Sequence, residues 1–266
     1  MGEDIADAFE RFETLELCAR TILNAKTLGS PVFLTDEQML RHEKAVALDF
    51  QHFMNVQHPS DERAIRTEIC DIVHRSCAQG LMCSSYGTAS VRWRGNDFLI
   101  TPSDKQRWDL EPEDIVQVKD SRVEAGKNAS RSTALHYEIY KHNPKINSII
   151  LTQTPYLMGY ATTGVKFDVR TIPESWIFLQ DIPQYPFGSQ YSDPETMAEG
   201  FKKLPCALLA NDSIVVTGDK LINTFDKLEV ADFSARSLIL AAHIGDLNPI
   251  TDDEIEDLRV AFHVGE

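Results

Sequence analysis

Gly80-Leu81-Met82-Cys83-Ser84-Ser85-Tyr86-Gly87-Thr88-Ala89-Ser90-Val91-Arg92 joins two kinds of periodicity. Upstream of it, Ile65, Ile69, Ile72 and Val73 recur at helical spacing, and Gly80 supplies the stop. The polar run His58-Pro59-Ser60-Asp61-Glu62 is read as the cap that opens this helix. Downstream, residues 88–93 and 97–101 are short alternating or apolar runs around Arg94-Gly95-Asn96, the pattern of a β-hairpin. Residues 115–118 make a third strand, residues 135–141 a helix ended by Asn143-Pro144, and residues 147–152 a buried strand. Residues 207–210 and 214–217 bracket Asn211-Asp212-Ser213 as a strand pair, and a long helix covers 220–242. No Pro-rich or low-complexity linker divides this stretch, so it reads as one α+β domain.

At 266 residues and 30.0 kDa the chain suits one large domain with an appendage. A net charge of -15 argues against binding nucleic acid, because a phosphate backbone would be repelled and no basic stripe is present. No apolar run approaches the ~20 residues needed to span a bilayer, so no membrane partner is expected. The opening Met-Gly-Glu-Asp-Ile lacks the basic and then apolar layout of a secretory signal, which makes the cytoplasm the expected location. Cys18, Cys70, Cys77, Cys83 and Cys206 form no Cys-x-x-Cys pair and are read as reduced packing thiols, with Cys83 the one candidate for reactivity.

The N-terminal 57 residues have a grammar of their own. Phe12, Leu15, Leu17, Ala19, Ile22, Leu23, Ala25 and Leu28 mark an amphipathic helix over residues 12–28, stopped by Gly29 and Pro31. Thr35-Asp36-Glu37-Gln38 then opens a second helix running towards Phe50. Ala19-Arg20, Ala25, Gly29 and Thr35-Asp36 recur as Ala235-Arg236, Ala241, Gly245 and Thr251-Asp252, at a constant offset (235 − 19 = 216). Residues 1–57 are therefore read as an extension resembling the tail of the domain at 58–266, packing against its own or a neighbouring subunit.

Several blocks in order carry a resemblance. Gly80 to Arg92 resembles the opening of the class II aldolase/adducin family, and Leu99-Ile100-Thr101-Pro102-Ser103 with Leu110, Pro112-Glu113-Asp114 and Val116 resembles its next block. Residues 135–140, the strand leading to Pro155-Tyr156, Ile172-Pro173-Glu174, Leu208-Leu209-Ala210-Asn211-Asp212, and Gly218 with the long helix continue it over residues 65–260. The resemblance implies a three-layer α/β/α sandwich with a mainly antiparallel central sheet and a homo-oligomer, tetramer or dimer, with sites between subunits. In members of the family that act on sugar phosphates it further implies three histidines holding a divalent metal and a glutamate moving the proton.

At those positions this chain differs. The histidine pair falls at Leu151 and Gln153, the third histidine at Asp212, and the glutamate at Ser132. Leucine offers no lone pair and glutamine is a weak neutral ligand, so no metal cofactor is expected and the chain is read as a degenerate member of the family. Asp212, Gln153 and Glu174 are a remoter set for a hard ion. The anion-binding half is better kept: the resemblance implies that Gly87, Thr101, Ser103 and Ser130 cradle a small anion, with Thr88 in place of an asparagine and Asp104 in place of a glycine. Lys105, Arg107 and Arg131 are candidate cations, set against a reading as solvated surface charges. His136 is read as a helix histidine beneath the pocket, Trp93, Trp108 and Trp176 as core or interface residues, and Tyr156 and Tyr160 as possible phenol donors.

Two functions stay open. One is a small-anion-binding, oligomeric or scaffolding protein without metal catalysis. The other is a metal-independent lyase, isomerase or cyclase on a carbonyl-containing acid, with Arg131 or Lys105 supplying charge and Asp212, Glu174 or Tyr156 moving protons. An ordinary zinc-dependent sugar-phosphate aldolase ranks third.

Overall fold

The computed structural model describes residues 4–46, 50–55, 57–103 and 105–264. Helices α1 (Ile5–Leu28) and α2 (Asp36–Val46) precede strand β1 (His52–Phe53) and α3 (Ser60–Ala78). Then come β2 (Thr88–Arg94), β3 (Asp97–Ile100), a 3-10 turn at Arg107–Asp109, β4 (Val116–Lys119), β5 (Arg122–Glu124), α4 (Thr133–His142), β6 (Ser148–Thr152) and α5 (Pro155–Thr163). The chain continues through α6 (Pro173–Leu179), β7 (Gln184–Tyr185), α7 (Ser189–Ser192), α8 (Pro194–Gly200), β8 (Cys206–Leu209), β9 (Ser213–Gly218), α9 (Leu221–Ala241) and α10 (Asp252–Phe262).

The strands form one sheet in the order β1-β5-β4-β3-β2-β6-β9-β8-β7. The seven central strands pair antiparallel, and the two edge strands β1 and β7 pair parallel. The sheet is therefore mixed at its edges around an antiparallel middle. Period-two alternation divides its side chains between two cores. Leu99, Ile150, Leu208, Ile214 and Val216 face a cluster built with α3, α5, α6 and α9. Phe98, Ile100, Val118, Ile149, Leu209 and Val215 face a second cluster built with α4 and α8. This is the three-layer α/β/α arrangement. No helix among the described residues is long and apolar enough to cross a membrane.

Register decides where the site lies. Leu151 on β6 stands between Thr88 on β2 and Val215 on β9, and Thr152 stands opposite Ile214. The start of β2, the end of β6 and the β8–β9 turn at residues 210–212 therefore meet at one end of the sheet. The run His58–Glu62 does open α3, but Pro59 takes the cap position and no side chain of the run makes a capping hydrogen bond. Asp61 instead accepts hydrogen bonds from Trp93 Nε1 (2.9 Å) and Arg94 (2.8 Å).

The helices that carry the recurring residues share part of the same offset. α2 and α10 share both bounds at the sequence offset (252 − 36 = 216) and α1 begins 216 residues before α9 (221 − 5 = 216). Thr35 and Gln38 exchange reciprocal hydrogen bonds at the start of α2, as Thr251 and Glu254 do at α10. Burial is inverted between the copies. Leu228, Ala231, Leu238 and Ile239 of α9 are buried, whereas their counterparts Phe12, Leu15, Ile22 and Leu23 of α1 are exposed. Conversely Leu17 is buried where its counterpart Phe233 is exposed.

The described part of α1 packs on its own subunit with much of its apolar stripe left exposed. α1 docks on the domain largely by polar groups: Asn24 Nδ2 donates to Pro155 O (3.0 Å), Ser85 Oγ to Glu10 Oε1 (2.6 Å) and Gln106 Nε2 to Glu10 Oε2 (3.1 Å). Gly159 of α5 permits this approach, since a Cβ there would lie 3.1 Å from Asn24 Cβ and 3.4 Å from the Ala25 backbone. α1 through Glu10 and Asn24, and β1 by pairing with β5, both tie the N-terminal part of the chain to the rest of the fold.

Candidate active site

The end of the sheet holds a cleft of about 580 Å³, open mouth included, whose walls contain Leu151, Gln153, Asp212 and Ser132. The four positions where the resemblance expects metal ligands and a general base thus come together from β6, the β8–β9 turn and the start of α4. Gly87, Thr88, Ser103, Ser130 and Arg131 line the same cleft.

Its floor is a run of hydroxyls. Thr88 Oγ1 and Ser130 Oγ are 2.7 Å apart, Ser130 Oγ and Ser132 Oγ 3.1 Å, and Ser132 N donates to Ser130 Oγ (3.3 Å). Ser130, Arg131 and Ser132 lie just before α4, so the positive end of a ten-residue helix faces the cleft. Gly87 adopts a left-handed backbone (φ 91°), and a Cβ there would come within 2.8 Å of Met82 Cγ. Only glycine lets this loop pass so close to the core.

Arg107 organises the loops from beneath. It is 2% exposed, and its guanidinium donates to Gly87 O (2.8 Å), Lys105 O (2.7 Å) and Pro102 O (3.0 Å). Its own amide donates to Ser84 O (2.8 Å). One planar fork therefore fixes both loops that carry the anion-cradle residues.

Asp212 is the electrostatic centre. Burial raises its carboxyl above the usual range, and the raise is only partly offset by His42, by the amide of Gln190, which donates to Oδ2, and by Arg131. Burial, together with the charge of Asp212, also pushes the Tyr191 phenol up to about 12. His42 of α2 stacks with its ring centroid 5.0 Å from Phe187 and 5.2 Å from Tyr191, and its Nδ1 is buried without a partner.

Other candidate residues lie elsewhere. Glu174 is exposed at the start of α6, away from the cleft walls, so it cannot complete an oxygen-ligand set with Asp212 and Gln153. Tyr156 packs half-buried on the first core cluster, with the Arg236 guanidinium 5.7 Å from its ring centre. Lys105 pairs with Asp114 (3.0 Å) and is not among the cleft walls. Thr101 is buried behind the floor, where its Oγ1 accepts from Ala89 N (3.3 Å). Tyr160 lies in the core, and Asp104 is outside the described residues. His136 is fully buried, its Nδ1 is 2.7 Å from Ser90 Oγ, and burial lowers its pKa to about 3, so it stays neutral at physiological pH. Cys83, pushed up to about 11 by burial, is a thiol rather than a thiolate at neutral pH.

The residues present do not fit zinc. Zinc requires three or four N, S or O donors, and Leu151 supplies none, Gln153 a neutral amide and Asp212 one carboxylate that already accepts from Gln190. No cluster of three or more His, Cys, Asp or Glu side chains able to hold a metal occurs among the described residues.

Residues 67–239 match the model of the class II aldolase and adducin N-terminal domain family, well over half of the chain. The chain belongs to this family. It is similar to a 5-deoxy-D-ribulose 1-phosphate aldolase of Bacillus thuringiensis serovar kurstaki, 23% identical over 74% of this chain and 94% of the relative. It is also similar to a 3-oxo-tetronate 4-phosphate decarboxylase of Haemophilus influenzae, 26% identical over 68% of this chain and 89% of the relative. The crystal structure of YgbL from Escherichia coli shares the fold, with a TM-score of 0.69 at 21% identity over 74% of this chain and 99% of that one.

The matched family segment excludes α1 and α2, yet Met39 and His42 of α2 line an adjoining chamber that shares Arg131, Gln153, Tyr191 and Asp212 with this cleft. Sequence reasoning missed His42, Gln190, Tyr191 and Phe187. Each sits on a short helix or loop whose position depends on tertiary packing. The one available signal was a histidine in a capped helix outside the family blocks.

Proposed function

We propose that this class II aldolase/adducin family member binds a small anion, a carbonyl-containing acid or a phosphate, in the cleft without zinc. The observation that carries this reading is the wall chemistry. The hydroxyl floor, the α4 N-terminus and Arg131 converge on one side of a cleft whose three metal-ligand positions hold a leucine, an amide and a half-buried carboxyl. The first group suits an anion and the second does not suit zinc. Such a protein serves as a binding, oligomeric or scaffolding member of its family.

The electrostatics give a test. Because the Asp212 carboxyl is raised, it becomes neutral on the acid side at a higher pH than an ordinary aspartate, and the cleft then loses a negative charge. Arg131 contributes positive charge beside it, and Tyr191, pushed up to about 12, stays neutral. Pyruvate is therefore expected to bind more tightly at pH 5 than at pH 7.5. Asp212→Asn should bind tightly at both and lose most of that slope in a calorimetric titration. An unchanged slope in the variant would contradict the assignment.

A second reading, a metal-independent lyase, isomerase or cyclase, is favoured by one feature. A half-buried carboxyl of raised pKa within the field of Arg131 can shuttle a proton while the cation offsets enolate charge. The mark of this reading is exchange of the C3 protons of pyruvate with deuterated water, dependent on Asp212. No exchange above the buffer rate leaves binding alone.

The outward apolar face of α1 is proposed as the surface on which a second copy of this chain docks. In α9, the repeated helix, the equivalent residues are buried, so the face has the composition of a covered one. Light scattering should find a dimer or larger for the natural chain and a monomer for Leu15→Glu/Leu23→Glu. A monomeric natural chain would overturn it.

A further inference from the structure

Beside the polar cleft lies a second chamber of about 730 Å³, mouth included, that shares Tyr86, Arg131, Gln153, Tyr191 and Asp212 with it as common walls. Leu34, Met39, His42 and the carboxylate-bearing Glu43 of the N-terminal extension form one wall, and Phe187 and Tyr191 form another. The first wall lies wholly outside the family-matched residues 67–239, so this chamber is a property of the present chain rather than of the matched domain.

We propose that the chamber selects the tail of the ligand: the bound molecule is an aryl-substituted acid whose anionic head lies on the hydroxyl floor and whose ring lies under α2. This rests on the anion-binding reading of the same cleft. Two aromatic rings, a thioether and an aliphatic side chain offer the flat apolar surfaces against which a ring packs edge-on or offset. His42 is already in ring contact with both Phe187 and Tyr191, so the aromatic wall is continuous from α2 to α7. The buried Nδ1 of His42 has no partner, which leaves one hydrogen-bonding demand in this wall that the protein does not meet. A short sugar phosphate would reach the floor and leave these apolar walls uncovered.

Α2 is held in place for this purpose by more than its own cap. Asn211 Nδ2 donates to Val32 O (2.6 Å), and Val32 N donates to Thr162 O (2.8 Å), so the strap between α1 and α2 is tied to the β8–β9 turn that carries Asp212. The chamber wall and the carboxyl are thus positioned from one junction.

Titration of the full chain with pyruvate and phenylpyruvate separates head from tail. Phenylpyruvate is expected to bind at least about tenfold more tightly than pyruvate, a gain typical of a ring placed against matching apolar walls. Met39→Ala and Phe187→Ala should each reduce the ratio of phenylpyruvate to pyruvate affinity at least about threefold; Met39 is half exposed on α2, so its truncation spares the fold. Equal binding of the two acids, or a ratio that both variants leave intact, would overturn the aryl assignment and leave anion binding standing. Failure of both acids to bind would overturn the anion reading and this inference together.

Discussion

A chain carrying Leu151→His, Gln153→His and Asp212→His is expected to take up one zinc ion and to be stabilised by it, whereas the natural chain is not. Leu151 and Gln153 are two residues apart at the end of β6 and line the same cleft as Asp212, so three imidazoles would converge from one strand and the facing turn. With zinc at a thousandfold excess over its dissociation constant, the variant should gain about 4 kcal/mol of stability, visible as a zinc-dependent rise in melting temperature. Two of the three substitutions should give far less, because two imidazoles do not complete a zinc shell. The idea fails if the natural chain shows the same zinc response, or if the folded triple variant shows none.

The second large effect belongs to Arg107. Arg107→Met removes a buried cation and strands the carbonyls of Gly87, Pro102 and Lys105, each of which loses its guanidinium hydrogen bond. Unsatisfied buried acceptors cost about 1–3 kcal/mol apiece, with some relief by rearrangement, so a loss of about 3–5 kcal/mol in denaturant unfolding is expected. Pyruvate binding should weaken at least about tenfold, because both cradle loops lose their common anchor. Arg107→Lys should rescue little, since an ammonium cannot reproduce the planar fork that reaches three carbonyls. A variant within about 0.5 kcal/mol of the natural chain would mean that the loops hold themselves.

The sequence made the central strands legible because they alternate and are bounded by turns: Gly95 closes the β2–β3 hairpin, and Asn211, at a left-handed φ of 55°, closes β8–β9. Strands β1, β5 and β7 have two or three residues each, too short for any period to register. The amphipathic character of α1 was legible and its orientation was not. Periodicity defines two faces, but Glu10 and Asn24 turn inward because Ser85, Gln106 and the Pro155 carbonyl await them, and no local pattern reveals that.

The candidate site divides the same way. Leu151, Gln153, Ser132 and Asp212 were found through their motifs, which fix position along strand ends and helix starts. Glu174, Tyr156 and Lys105 carry suitable chemistry, but the sequence does not say which way they point: α6 turns Glu174 to solvent, α5 lays Tyr156 on the core, and Asp114 claims Lys105. His42 and Tyr191 lie about 150 residues apart in the chain and meet only through the packing of α2 on α7.

The most direct measurement is a calorimetric titration of pyruvate into the full chain after exhaustive dialysis against a chelator, with zinc determined on the same sample. Saturable one-site binding at less than about 0.1 zinc per chain, unchanged when zinc is added, is the expected result. Binding that is absent after dialysis and returns with one equivalent of zinc would contradict it.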